Sequence, residues 1–269
     1  MYFEIKYRGK SSEDFNAVVF TNNTDTHNSG LTRTVTKGVI SDINLFPSYS
    51  YAVFNNDFSF NLQMFKKDNT VFSGIEKRKI NSWLTSCKYS SELEIIYKDC
   101  KGNEQNNIFY KGHFTDVTYE IGNGGIVILK TVFSPDTPYG YIKNTLSLSS
   151  DETEHTFEID SDVDDYIYPT ITLSWTGDED MINLLIKNDN AVNSAMNINL
   201  YKGIPAVIDC ERMVIKSDSY KFSDLGWSDT GDMNWLRLVN GTNTIITDHA
   251  CDVTLDYKIP IKAGEPYEF

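Results

Sequence analysis

Apolar and polar residues alternate one by one along much of this chain. In 58–64, Phe58, Phe60, Leu62 and Met64 share one side, with Ser59, Asn61 and Gln63 on the other. Ile171, Leu173 and Trp175 oppose Thr170, Thr172 and Ser174, and Val253, Leu255, Tyr257 and Ile259 oppose Asp252, Thr254, Asp256 and Lys258. A period of two is the pattern of a strand with one face on a core and the other in water. Ile126-Val127-Ile128-Leu129 is continuously apolar and follows Gly122-Asn123-Gly124-Gly125. It predicts a strand buried on both faces after a tight turn. Short strands separated by turns in both halves predict an all-β protein built of antiparallel sandwiches.

One segment has a helical period instead. Ser73 followed three residues later by Glu76 fits a capping box, and the helix it opens is predicted over 74–84. Ile75, Ile80, Trp83 and Leu84 supply its apolar side, and Glu76, Lys77 and Arg78 its wet one. Residues 21–37 are polar, and two readings stand for them: a surface loop, or an arm reaching over a neighbouring subunit.

Charge divides the chain. Residues 1–143 hold 16 Lys+Arg against 15 Asp+Glu, a net of +1, and residues 144–269 hold 8 against 23, a net of −15. Such a shift predicts two domains with different neighbours, 1–143 and 144–269. The turn-forming run Ser134-Pro135-Asp136-Thr137-Pro138-Tyr139-Gly140 lies just before the boundary. The acidic half argues against specific nucleic-acid binding, which needs Lys and Arg on phosphates. No apolar run reaches the roughly 18 residues that a membrane span requires. Met1-Tyr2-Phe3-Glu4-Ile5-Lys6 lacks a secretory layout, so a soluble product of the cytosol is expected.

A search for chemistry returns little. Cys87, Cys100, Cys210 and Cys251 are too dispersed for a zinc site and are expected as reduced thiols, and His27, His113, His155 and His249 show no ligand spacing. Asp160-Ser161-Asp162-Val163-Asp164-Asp165 begins like a calcium loop, but its sixth position is Asp165 where glycine is needed and its twelfth is Ile171 where glutamate is needed. Gly122-Asn123-Gly124-Gly125 precedes a strand, the wrong context for a phosphate-binding loop. No nucleophile elbow or metalloprotease motif is present. The expectation is therefore no catalytic, cofactor-binding or metal residue, and no enzyme. Trp175, Trp227 and Trp235 suit a sugar-stacking platform by type, yet Trp175 falls on the apolar side of its strand and reads better as core. Trp227, in Asp224-Leu225-Gly226-Trp227-Ser228-Asp229, is the candidate for ligand contact.

Several stretches, taken in order, resemble one known family. In the first half they are Phe58-Ser59-Phe60-Asn61-Leu62, Ile80-Asn81-Ser82-Trp83-Leu84-Thr85, Leu93-Glu94-Ile95-Ile96-Tyr97-Lys98-Asp99, Tyr110-Lys111-Gly112-His113-Phe114, and Phe133 with Pro138-Tyr139. In the second they are Pro205-Ala206-Val207-Ile208-Asp209 and Trp235-Leu236-Arg237-Leu238-Val239-Asn240-Gly241-Thr242-Asn243-Thr244-Ile245. The chain is similar to the distal tail proteins of long-tailed bacteriophages, the Dit family.

That resemblance implies a ring-forming N-terminal β-sandwich with an added hairpin and short helix, and a galectin-like outer β-sandwich. It implies a structural virion protein of the tail tip, made in the host cytoplasm. The protein would be a homohexameric hub joining the tail tube protein to a tail-tip hub or tail-associated lysin and docking adhesion or receptor-binding proteins. The family's outer domain sometimes carries an inserted carbohydrate-binding module, for which this chain has no room. Two alternatives stand beside this reading: a carbohydrate-binding β-sandwich protein, and a tail-tube or contractile-baseplate subunit.

Overall fold

The computed structural model describes residues 3–21, 33–39, 48–54, 58–97, 107–122, 124–226 and 234–263, with the backbone alone for 33–39, 48–54, 222 and 226. The chain divides into two units, residues 1–142 with 261–269, and residues 143–260.

In the first unit the strands are β1 (Phe3–Tyr7), β2 (Lys10–Ser11), β3 (Ala17–Thr21), β4 (Arg33–Val39), β5 (Ser48–Phe54), β6 (Phe60–Lys66), β7 (Ser91–Tyr97), β8 (Ile108–Gly122) and β9 (Gly125–Pro135), with helix α1 at Gly74–Thr85. β10 (Gly140–Leu148) begins here, with Tyr141 opposite Phe109. The all-β class with one helix is as expected, and the strands of this unit close on themselves in the order β8-β7-β1-β3-β6-β9, because β8 pairs with both β7 and β9. The length of β8 permits this. Its residues 108–112 pair with β7, while 112–122 pair with β9, with register shifts between Phe114 and Asp116 and between Glu120 and Ile121. Such irregularities bend a strand and let a sheet curl shut. Gly112 stands where the two ladders meet, and a Cβ there would lie 2.2 Å from the Ser134 carbonyl oxygen. Only glycine admits that approach.

The alternation read in 58–64 is real: Phe58, Phe60, Leu62 and Met64 are all buried inside the barrel. Around them Tyr7, Phe114, Phe133, Phe60 and Tyr110 form a run of ring contacts with centroids 5.0–5.3 Å apart. Helix α1 covers one side. Its capping box is complete, with the Glu76 amide donating to Ser73 Oγ (3.2 Å) and the Ser73 amide to Glu76 Oε2 (2.7 Å). Ile80, Trp83 and Leu84 are buried as predicted. Ile75 is not: it sits at the first turn, before the helix meets the barrel, and is 71% exposed.

Two other expectations are corrected. Residues 126–129 do form a strand, but Val127 is 40% exposed, because this part of the β8–β9 hairpin has one covered face. Residues 33–37, read as the end of a polar loop or arm, belong to β4, which pairs with β5 from Arg33–Phe54 to Val39–Ser48. The β-branched run Thr34-Val35-Thr36 favours that outcome over its polarity. The rest of that segment, 22–32, lies outside the described residues.

The second unit has two layers. One sheet runs β16-β15-β12-β19-β10, from Val214–Ile215, Ala206–Asp209, Thr170–Ser174, Asp252–Ile261 and the latter part of β10. The other runs β11-β18-β13-β14-β17, from Glu154–Ile159, Gly241–Thr247, Met181–Asn188, Ala195–Tyr201 and Leu225–Gly226. Their inward residues make one aliphatic core, including Ile171, Leu173, Ile208 and Leu255 from the first sheet and Leu184, Ile186, Ile198 and Ile245 from the second. This is the antiparallel sandwich predicted from the alternation in 170–175 and 252–259.

Candidate functional site

Several of the residues singled out by type or motif pack into the core of one unit or the other. Trp83 lies beneath α1, with its indole Nε1 donating to the Tyr7 carbonyl (2.6 Å) and its ring stacked on Phe15 at 5.2 Å. An indole buried with its N–H satisfied is an anchor. Trp235 is 8% exposed and belongs to the aliphatic core. Trp175 is half-buried against that core, its Nε1 donating to the Glu179 carbonyl (2.9 Å). Both pack on the core of the second unit. Trp227 lies outside the described residues.

The stretch Trp235–Ile245 owes its shape to a buried amide pair that periodicity did not reveal. Asn243, fully buried on the same face as Ile245 and Thr247, accepts from the Val239 amide and donates to the Val239 and Gly241 carbonyls, at 2.8–3.0 Å. It also accepts from the Asn188 amide group (2.8 Å), which in turn donates to the Arg237 carbonyl (2.9 Å). Gly241, at φ +90°, allows the chain to turn back over this network. Asn240 accepts from the Ser161 amide at 2.9 Å. The motif is thus an architectural clamp. The only signal for it was a polar residue on the apolar side of a strand, which burial makes costly unless it is satisfied.

Among the described residues, Ser90 Oγ lies 3.0 Å from His113 Nε2 and donates to Asp136 Oδ1 (2.9 Å). The described residues contain no group of three or more His, Cys, Asp and Glu placed to hold a metal. Burial pushes the Cys210 and Cys251 thiols up to about 12, which keeps them protonated and poor nucleophiles. Cys87 is partly covered and free, and Cys100 lies outside the described residues. The acidic stretch at 160–165 is organised by Ser161, whose hydroxyl donates to the Val163 carbonyl (2.9 Å) and accepts from the Val163 amide (3.2 Å).

What remains are surfaces. The first unit carries exposed apolar residues at Val71, Ile75, Ile121 and Val127. Val71 packs against Gly125 at the β8–β9 turn, and Phe72 bridges to Ile126, so the start of the helix segment and the hairpin tip are neighbours. A groove of about 580 Å³ opens beside the β1–β2 turn, where Lys6, Arg8 and Lys10 face Asp14, Glu92 and Glu94. The second unit has a groove of about 360 Å³ beside the β15–β16 turn. There Asp209, nearly buried, accepts from the Arg212 amide (3.0 Å) and pairs with Lys216 Nζ (2.8 Å). Burial alone would raise its carboxyl, but those partners outweigh it and hold Asp209 below the usual carboxylate range.

Comparison with known proteins fits these observations. Residues 2–137 match a family model described as a phage tail protein N-terminal domain, and residues 139–257 one described as a phage tail C-terminal domain. Among solved structures the chain is similar to the Dit protein (gp 19.1) of phage SPP1, described as a paradigm of hub adsorption apparatus in phages infecting Gram-positive hosts. Identity is 11%, the match covers 96% of this chain and 99% of that one, and the TM-score is 0.59. It is also similar to a chain of the phage P2 baseplate in its activated conformation with Ca, at 11% identity, covering 95% and 97% of the two chains with a TM-score of 0.51. At such identities the likeness is one of fold. No curated protein sequence matches the chain.

Proposed function

The chain belongs to the two-domain phage tail proteins whose N- and C-terminal models divide it between them, and on that premise we propose that it is the distal tail hub. The observation that carries this reading is the end-to-end fold likeness to the SPP1 Dit protein, spanning both units. In this role residues 1–143 close copies into a ring, a homohexamer, at the end of the tail tube. Residues 144–269 form a galectin-like outer domain on which adhesion or receptor-binding proteins dock. The ring joins the tube protein on one side to a tail-tip hub or tail-associated lysin on the other.

Charge supports this division of labour. A half with net charge +1 lets copies approach without mutual repulsion, while a half at −15 offers a field to a basic partner. The protein works by assembly and carries no catalytic role.

Native mass measurement followed by two-dimensional averaging of particles tests the proposal, with a six-membered ring as the expected result. A strict monomer that binds glycans would favour the stand-alone carbohydrate-binding reading, and long stacks of rings would favour a tube subunit. Association of a basic partner with the acidic half should slow as salt rises, since the Debye length is about 8 Å at physiological ionic strength. Hydrolysis of host-wall glycans by the pure protein would overturn the non-enzymatic assignment.

A further inference from the structure

The second unit is acidic overall, and its charge is unevenly placed. Residues 143–260 contain 8 Lys and Arg and 21 Asp and Glu. Four of the cations, Lys143, Arg212, Lys216 and Lys258, line the groove of about 360 Å³, together with only three of the carboxylates, Asp209, Glu211 and Asp256. Half of the positive charge and one seventh of the negative charge therefore meet in a single concavity. Its volume falls within the ordinary range for a small-molecule pocket.

The groove is held in shape by its own contacts. Asp209 sits at the end of β15 and fixes the following turn through the Arg212 amide and Lys216. That turn includes Met213 at φ +59°, and it presents the Arg212 side chain to solvent. Across the sheet, Thr145 on β10 donates to Asp256 on β19 (2.5 Å), tying together two strands of the floor. Thr170 and Tyr168 add hydroxyl groups at the rim, and Tyr168 is partly exposed.

We propose that this groove binds a phosphate ester carried on an otherwise neutral, hydroxyl-bearing unit, in addition to any part the protein plays as a hub. A guanidinium fork and ammonium groups around one concavity suit the several oxygens of a phosphate. The rim hydroxyls and the tyrosine ring suit a polyol or sugar. The scale of the surrounding field selects the size of the anion. A long polyanion would meet the negative surface beyond the groove, whereas one phosphate is smaller than a Debye length and responds to the cations beside it.

The test is calorimetric titration of the full chain, in phosphate-free buffer, with inorganic phosphate, glycerol 1-phosphate and glycerol. Saturable binding of a phosphate-bearing probe and none of glycerol is expected. The variant Arg212→Gln/Lys258→Gln, altered at two exposed side chains, should bind at least about tenfold more weakly. Lys187→Gln/Lys221→Gln, which removes the same charge elsewhere in the unit, should stay within about twofold. Tighter binding of glycerol 1-phosphate than of inorganic phosphate would identify the source as an ester; the reverse would identify free phosphate and overturn the polyol part. Absence of saturable binding at about 10 mM, or an equal loss in the control variant, would overturn the site itself.

Discussion

Nine of the nineteen described residues that make up the buried core of the first unit are aromatic, against three of the twenty-five in the second, so two β units of one chain are stabilised by different means. In the barrel, large rings meet edge to face around a closed sheet, and Trp83 fixes the one helix to it. In the sandwich, Ile and Leu fill the space between sheets, and specificity comes from a buried pair of asparagines. A closed barrel has a narrow interior that few large side chains fill. A sandwich spreads its core over two sheets, and here a buried polar pair ties the 237–241 connection to it. The outer surfaces differ too: net charge is near zero for the first half and −15 for the second.

The barrel side of this comparison is broken most severely at its anchor. Trp83→Ala removes the stack on Phe15, the hydrogen bond to Tyr7 and the buried indole volume, and should cost about 3–5 kcal/mol. Denaturant unfolding measures it. A loss under about 1 kcal/mol would mean that the helix is not anchored by this residue.

The sandwich should respond more modestly, and through coupling. Asn243→Ala strips partners from the Val239 amide and carbonyl and from Asn188, an expected loss of about 1–3 kcal/mol. Because Asn188 and Asn243 bond each other, the double variant Asn188→Ala/Asn243→Ala should lose less than the two single losses added together. Strict additivity in a double-mutant cycle would remove the claim that the pair acts as a unit.

How much of this was legible in the sequence differs between the same two regions. Periodicity located the strands at 58–64, 170–175 and 252–259 and the helix with its cap, because each rests on local side-chain spacing. The closure of the barrel was not legible. It depends on β8 changing partners at Gly112, a long-range pairing choice that no two-residue period encodes. The exposure of Ile75 and Val127 was missed for a related reason, since an apolar residue at the right spacing is buried only if a partner element reaches that far. In the sandwich, Asn243 appeared in sequence as part of a turn and strand, while its partner Asn188 lies 55 residues away. The cation-lined groove was equally hidden, because its cations are scattered over 143–258 and meet only in the folded sheet.

The smallest expected effect lies at the cap of the helix, and it gives the barrel an acid response of its own. Glu76 pairs with Lys66 Nζ (2.7 Å) and accepts from the Ser73 amide, and these bonds hold its carboxyl at about 2, well below its ordinary 4.5. A carboxyl depressed in the folded state contributes stability that is fully present above the unfolded value. That contribution should disappear as pH falls from about 4.5 towards 2. Ser73→Ala removes the reciprocal bond to the Glu76 amide and should cost about 1 kcal/mol at neutral pH. Glu76→Gln retains a side-chain oxygen for the cap but loses the ion pair with Lys66, so its unfolding free energy should fall less steeply than that of the wild type over the same window. Parallel pH profiles for the wild type and Glu76→Gln would show that the Lys66–Glu76 pair is too well solvated to matter, and that packing beneath Trp83, not the charged cap, fixes this helix on the barrel.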